Sequence, residues 1–153
     1  MKLFFLTVAA LLVFVSHAQT TQQEYLNVHN TARGLVGVAN ITWSTTAAAF
    51  AQTLATQRAP TCSAAPMNGV NIMSGGPSLT GSLAVTAWAV TEQPYYIYAT
   101  NTCVTGTKCE HYTQVVWSAS TGLGCYRVTC TNGNVLVVCS YSPAGNIAGQ
   151  RPY

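Results

Sequence analysis

The chain predicts an α+β fold: a three-layer α/β/α sandwich around a small, mainly antiparallel sheet, closed by three disulfides. Three observations carry this. Helical spacing of apolar residues dominates the first two thirds, and strand spacing dominates the last third. Six cysteines, an even number, all lie after residue 61 in a chain that opens like an exported protein.

The opening reads Met1-Lys2, a largely apolar run from Leu3 to Val15, then Ser16-His17-Ala18. A basic start, a short apolar run and a small-x-small end describe a secretory signal peptide at 1–18. The run is shorter than the roughly 20 residues of a membrane span. The remainder, 19–153, suits one domain. Its expected location is extracellular, its expected state a monomer, and no membrane span is expected.

Tyr25, Val28, Ala32, Leu35 and Val36 form one helical stripe, closed by Gly34 and Gly37. His29 borders that stripe and reads as a structural histidine. Asn40-Ile41-Thr42 is a glycosylation sequon in a loop, with Asn40 as the acceptor. Ser44 can cap a second helix whose stripe is Ala47, Phe50, Ala51, Leu54 and Arg58, stopped by Pro60. Residues 62–77 are rich in turn formers, with Val70-Asn71-Ile72-Met73 as one short strand. A third helix is expected from Ser82 to Gln93, ended by Pro94, with Glu92 closing a stripe of Val85, Trp88 and Ala89. Tyr95, Tyr96 and Tyr98 follow: core, or the wall of an apolar groove. Strands are expected at 112–117, 124–130 and 135–141. Asn132-Gly133 forms the hairpin turn between the last two. The continuous run Val135-Leu136-Val137-Val138 predicts a strand covered on both faces.

Composition excludes several functions. Past residue 18 the charges are Arg33, Arg58, Lys108, Arg127 and Arg151 against Glu24, Glu92 and Glu110. Scattered bases leave no nucleic-acid footprint. There is no aspartate, and only His29 and His111 remain as histidines in that part of the chain. No Gly-x-Ser-x-Gly turn, His-Glu-x-x-His helix or phosphate loop occurs. No Cys-x-x-Cys pair favours zinc over bridges, and six cysteines allow 15 pairings.

Three stretches resemble one family. Cys109-Glu110-His111-Tyr112-Thr113-Gln114-Val115-Val116-Trp117, Tyr25 to Arg33, and Cys139 to Asn146 with Gly149-Gln150-Arg151-Pro152-Tyr153 are similar, in that order, to the CAP superfamily, which includes plant pathogenesis-related class 1 proteins. The resemblance implies the same sandwich fold and the pairs Cys62–Cys130, Cys103–Cys109 and Cys125–Cys139. It also implies a cavity of two histidines and two glutamates, which in several members holds a divalent metal. Here His111 and Glu92 match that set. The second histidine is missing from the stretch after Cys62, and Val70 stands at the second glutamate position. Glu110 is a poor substitute if His111 opens a strand, because adjacent strand side chains point oppositely. The expectation is that Glu92 and His111 bond each other or water, with no metal and no other cofactor, and with no catalytic residue.

The family further implies a secreted, non-enzymatic module for a small lipid or sterol, or for an extracellular host or microbial partner in defence. Tyr95, Tyr96 and Tyr98 are the groove residues expected. One alternative is a precursor whose C-terminal segment, 143–153, is released as a signalling peptide. A weaker one is a metal-dependent hydrolase.

Overall fold

The computed structural model describes residues 20–153; the leader read at 1–18 lies outside them. Thr21 starts α1 (Gln22–Leu35) with a reciprocal cap: its hydroxyl accepts from the Glu24 N–H, and the Glu24 carboxylate accepts from the Thr21 N–H. Gly37, at φ +74°, turns the chain away from it. β1 (Thr42–Trp43) leads to Ser44, whose hydroxyl accepts from the Ala47 N–H and caps α2 (Thr45–Arg58). Next come β2 (Val70–Gly75) and α3 (Gly81–Thr86). α3 widens into a π-type turn at Ala87–Thr91 and tightens to a 3-10 turn at Gln93–Tyr95. The ribbon β3 (Tyr96–Ile97) and β4 (Thr102–Cys103), the short α4 (Glu110–Val115), β5 (Gly122–Thr129) and β6 (Val135–Ser142) complete the chain.

The main sheet runs β1-β5-β6-β2. Only β1 lies parallel to its neighbour; β5, β6 and β2 are antiparallel. Asn132-Gly133 makes the β5–β6 turn, with Gly133 at φ +82°. α2 lies on one face, so close that a Cβ on Gly124 would sit 1.9 Å from the Ala48 nitrogen. Ala51, Leu54 and Ala55 pack there on Leu136 and Val138. α1, α3 and α4 cover the other face over Leu123, Val135 and Val137. β6 is therefore buried on both sides, as its unbroken apolar run requires. The three bridges are Cys62–Cys130, Cys103–Cys109 and Cys125–Cys139. No described helix is long and apolar enough to cross a membrane.

Three sequence expectations need correction. Residues 112–117 do not form a strand; 110–115 are helical, because a carboxylate from elsewhere caps their free N–H groups. Ser82–Gln93 is not one regular helix but three kinds of turn in series. Phe50 and Leu35 do not join the buried stripes of α2 and α1: they are 44% and 73% exposed, and Ala55 takes the place of Phe50.

Candidate functional site

The site forms where α3 breaks. Regular turns cannot carry the chain to Glu92, and the π-type turn at Ala87–Thr91 brings it beside α4. The Glu92 Oε1 accepts from His111 Nδ1 at 2.6 Å. Its Oε2 accepts from the backbone N–H groups of His111 and Tyr112 at 3.1 and 3.2 Å. One carboxylate thus fixes the imidazole and caps α4, whose Cys109 cap position supplies no side-chain acceptor. The Nδ1–H tautomer follows, because a carboxylate only accepts. Trp88, wholly buried, stacks on the imidazole with ring centres 5.7 Å apart.

His111 borders a cavity of about 90 Å³ lined by Glu110, Asn71, Asn146, Met67 and Val70 among others. Glu110 therefore lines the same small space as His111. The argument from opposite strand faces fails because both residues stand on a helix. The Glu110 carboxylate accepts from the Cys109 N–H at 3.1 Å. Among the described residues no group of three or more histidine, cysteine or acidic side chains is placed to hold a metal ion. Val70, which also lines the space, offers an isopropyl group.

A buried polar chain, unread in the sequence, ties this site to α1. His29 Nδ1 donates to the Tyr25 carbonyl at 2.8 Å, which leaves Nε2 to accept from the Tyr141 hydroxyl at 2.7 Å. Asn71 Nδ2 donates to that hydroxyl oxygen and to the His111 carbonyl. Burial holds His29 down at about 4, well below its ordinary 6.5, and raises Tyr141 far above the usual phenol range. Arg33, 1% exposed, donates to the carbonyls of Ala39, Val115, Trp117 and Ser120 with no acid beside it. An arginine in the last turn of an amphipathic helix gave no sign of this; the absence of any nearby aspartate was the available clue.

Tyr95 and Tyr98 are exposed and Tyr96 is half-buried. Tyr98 stacks on Tyr153 at 5.1 Å, under the Arg151 guanidinium, and Tyr96 meets Tyr112 and Tyr153 edge-on or tilted. This segment seats the chain's own C-terminus, which is tied further by Ser118 N–H to the Pro152 carbonyl and Gly145 N–H to Gln114. None of the three tyrosines borders the groove whose walls are almost wholly apolar. That groove, about 230 Å³, lies between α1 and the π-type turn, walled by Val28, Ala32, Leu35, Ala89 and Val90, with Asn27, Thr31 and Gln93 as its polar groups. Asn40 is exposed in the loop before β1.

The family model of the cysteine-rich secretory protein family, CAP, matches residues 26–141. Pathogenesis-related protein 1B of Nicotiana tabacum is 46% identical over 162 aligned residues, covering 100% of this chain and 95% of that protein. Pathogenesis-related leaf protein 6 of Solanum lycopersicum is 50% identical over 89% of this chain and 86% of its own length. Among solved structures, venom allergen-like protein 4 of Schistosoma mansoni superposes with a TM-score of 0.69 at 24% identity, over 86% of this chain and 92% of that one. NaASP2 with Zn2+ gives a TM-score of 0.67 at 22% identity, over 89% and 86%.

Proposed function

This chain belongs to the CAP family, and on that premise we propose that it is a secreted, defence-related binding protein that works without catalysis and takes a small lipid or sterol. The observation that carries the reading is the groove between α1 and the π-type turn. Its walls are almost wholly apolar, and Leu35 and Val90, at 73% and 57% exposed, leave hydrocarbon facing water. Such a surface is stabilised by an apolar ligand, and Asn27, Thr31 and Gln93 supply the few polar anchors that would orient one. The close plant relatives carry pathogenesis-related names, which sets the context. The six bridged cysteines suit an oxidising compartment.

The absence of any serine, threonine or cysteine from the lining of the small cavity at His111 supports the reading without catalysis, since the imidazole has no side-chain nucleophile there to activate. Nor do its residues fit the family's divalent metal. Both Glu92 oxygens already accept hydrogen bonds, and structural and catalytic zinc sites take three or four protein ligands. A relative solved with zinc shares only the fold at 22% identity.

The test is filter binding of radiolabelled cholesterol and palmitate to the secreted protein. Saturable binding of either, lost in Val90→Glu and kept in Tyr98→Ala, supports the groove. Flat binding up to tens of micromolar ligand would remove the lipid reading. Zinc calorimetry tests the metal reading, and a stoichiometric sub-micromolar site would overturn it.

One observation favours a second reading, release of 143–153 as a peptide. Ser142, Pro143 and Ala144 are all exposed, so a protease can reach the junction. Against it stand the hydrogen bonds that hold the tail after cleavage. Mass spectrometry of secretions would have to find a fragment beginning at Pro143.

A further inference from the structure

A cavity of about 440 Å³ lies against β5 and takes no part in either site above. β1 pairs with β5 only at Gly122 and Leu123 before the chain turns into α2. Beyond Leu123, β5 has β6 on one side and, among the described residues, no strand on the other. Strand geometry says which groups this leaves open. The Leu123 carbonyl accepts from Ser44 N–H, on the β1 side. Cys125 and Arg127 follow at two-residue steps, so their N–H and C=O groups point the same way. The Cys125–Cys139 Cα separation of 4.0 Å agrees, being that of a facing pair that exchanges no backbone hydrogen bonds.

Cys125, Tyr126 and Arg127 line the cavity, so this open edge is its floor. One wall is a face of α2, Thr45, Ala48, Ala49 and Gln52, at i, i+3, i+4 and i+7; its two alanines leave room beside the edge. The other wall begins at α1, and Trp43 closes the end where β1 stops. Two overhanging helices hinder a second flat sheet from reaching the edge, whereas a single extended chain lies between them.

Thr45, the first residue of the 14-residue α2, borders the slot, and with no acid in its first turn that helix turns a positive end toward it; Gln22 borders it too, but the Glu24 carboxylate offsets the α1 end. Arg127 adds a guanidinium: Nε and Nη2 donate to the Leu79 and Pro77 carbonyls, while Nη1 has no partner among the described residues. No acidic residue lines the space, and Glu24 is spent on its own helix cap. Tyr25, 3% exposed, also lines it with its ring, while its hydroxyl is packed against Gly81 of α3.

We propose that this recessed edge docks an extended, acidic peptide segment of another extracellular protein, added as a short strand in the lane that β1 leaves. Backbone groups of Cys125 and Arg127 supply the ladder. Ala48 and Ala49 admit the side chains on one face. Arg127 and the α2 end select the negative charge.

The test is selection of a phage-displayed library of random hexapeptides on the disulfide-intact secreted protein, with Ala49→Trp as the blocked control. Ala49 is exposed, so the variant leaves the core alone. The expected result is enrichment of sequences carrying aspartate or glutamate on the wild type, at least tenfold over the control. The enriched peptide, made synthetically, should slow hydrogen exchange of the Cys125 and Arg127 amides at least tenfold. Its backbone N-methylated form should bind at least tenfold more weakly. Equal enrichment on Ala49→Trp, no enrichment at all, or enrichment without acidic residues would each overturn the proposal. So would slowing of the same amides by an oligogalacturonide when no peptide slows them, which would make the slot a saccharide site. Concentration-dependent dimerisation that protects those amides without any probe would assign the edge to a second copy instead.

Discussion

The two faces of the sheet are held together by different means. On the α2 face one 14-residue helix lays Ala51, Leu54 and Ala55 on Leu136 and Val138, with the Cys62–Cys130 bridge at the margin. The attraction there is apolar area and close approach. On the opposite face α3 and α4 have six residues each, too few to be stable alone. Their ends are held by buried side chains: Glu92 caps one end of α4, and Arg33 gathers the carbonyls at the other. Short elements need such polar partners, and those partners are what bring His111, Glu92 and Asn71 together. The candidate site stands where the covering helices are shortest, beside the longer α1.

This contrast can be broken most sharply at Arg33. Arg33→Met keeps the apolar stem but strips donors from four carbonyls in a buried position. The expected loss is about 5 kcal/mol, read as a lower midpoint in urea unfolding. A loss under about 1 kcal/mol would mean that water replaces the guanidinium and the polar scaffold matters little. The counterpart on the α2 face is covalent. Replacing Cys62 and Cys130 together by alanine opens a link spanning 68 residues and should cost about 4 kcal/mol by loop entropy. The same urea experiment checks it. The π-type turn should stay intact, so lipid binding should survive in whatever fraction remains folded.

Acid should separate the two faces next. His29 is neutral in the folded chain down to about pH 4 because burial disfavours its cation. In the unfolded chain it protonates near its ordinary 6.5. Above 6.5 neither state holds the proton, and stability is unaffected. Between 6.5 and 4 the unfolded state binds it and the folded state does not, so stability falls as pH falls. The loss approaches about 3 kcal/mol. With no aspartate and only three glutamates in the whole sequence, few other groups compete for this slope. His29→Gln should flatten the stability profile between pH 6.5 and 4 while lowering its plateau. An unchanged slope would show that the acid response lies elsewhere.

The α2 face was legible in outline, with Phe50 misplaced and Ala55 missed. Ser44, Leu54, Pro60, the Asn132-Gly133 turn and the apolar run at 135–138 each declare their role through local chemistry. His29 was legible as structural, and the pairing of Glu92 with His111 followed from the family pattern. The rest of the site was not. Residues 112–117 carry β-branched and aromatic side chains that suit a strand, yet the helix 110–115 forms there, its N–H groups capped by a carboxylate 19 positions before His111. The π-type turn has no sequence mark, because its widening is set by what Trp88 and Glu92 meet. Asn71 looked like one more loop polar residue, and its two amide hydrogens find their acceptors at Tyr141 and His111. The tyrosines looked like groove walls because nothing local says that Tyr153 returns to stack on Tyr98.

The finest test of the polar scaffold is Glu92→Gln, which changes one oxygen to nitrogen. The carboxylate accepts on both sides: from His111 Nδ1–H on one oxygen and from two backbone N–H groups on the other. An amide has one accepting atom. The backbone donors cannot turn away, so the amide oxygen must face them and its NH2 must face the imidazole. His111 Nδ1 then has to accept, and its proton moves to Nε2. Nitrogen-15 spectra of the His111 ring should show Nδ1–H in the wild type and Nε2–H in the variant. The weaker cap should cost about 1 kcal/mol. If the wild-type ring already carries its proton on Nε2, Glu92 is not its acceptor, and α4 is held in place by packing rather than by that carboxylate.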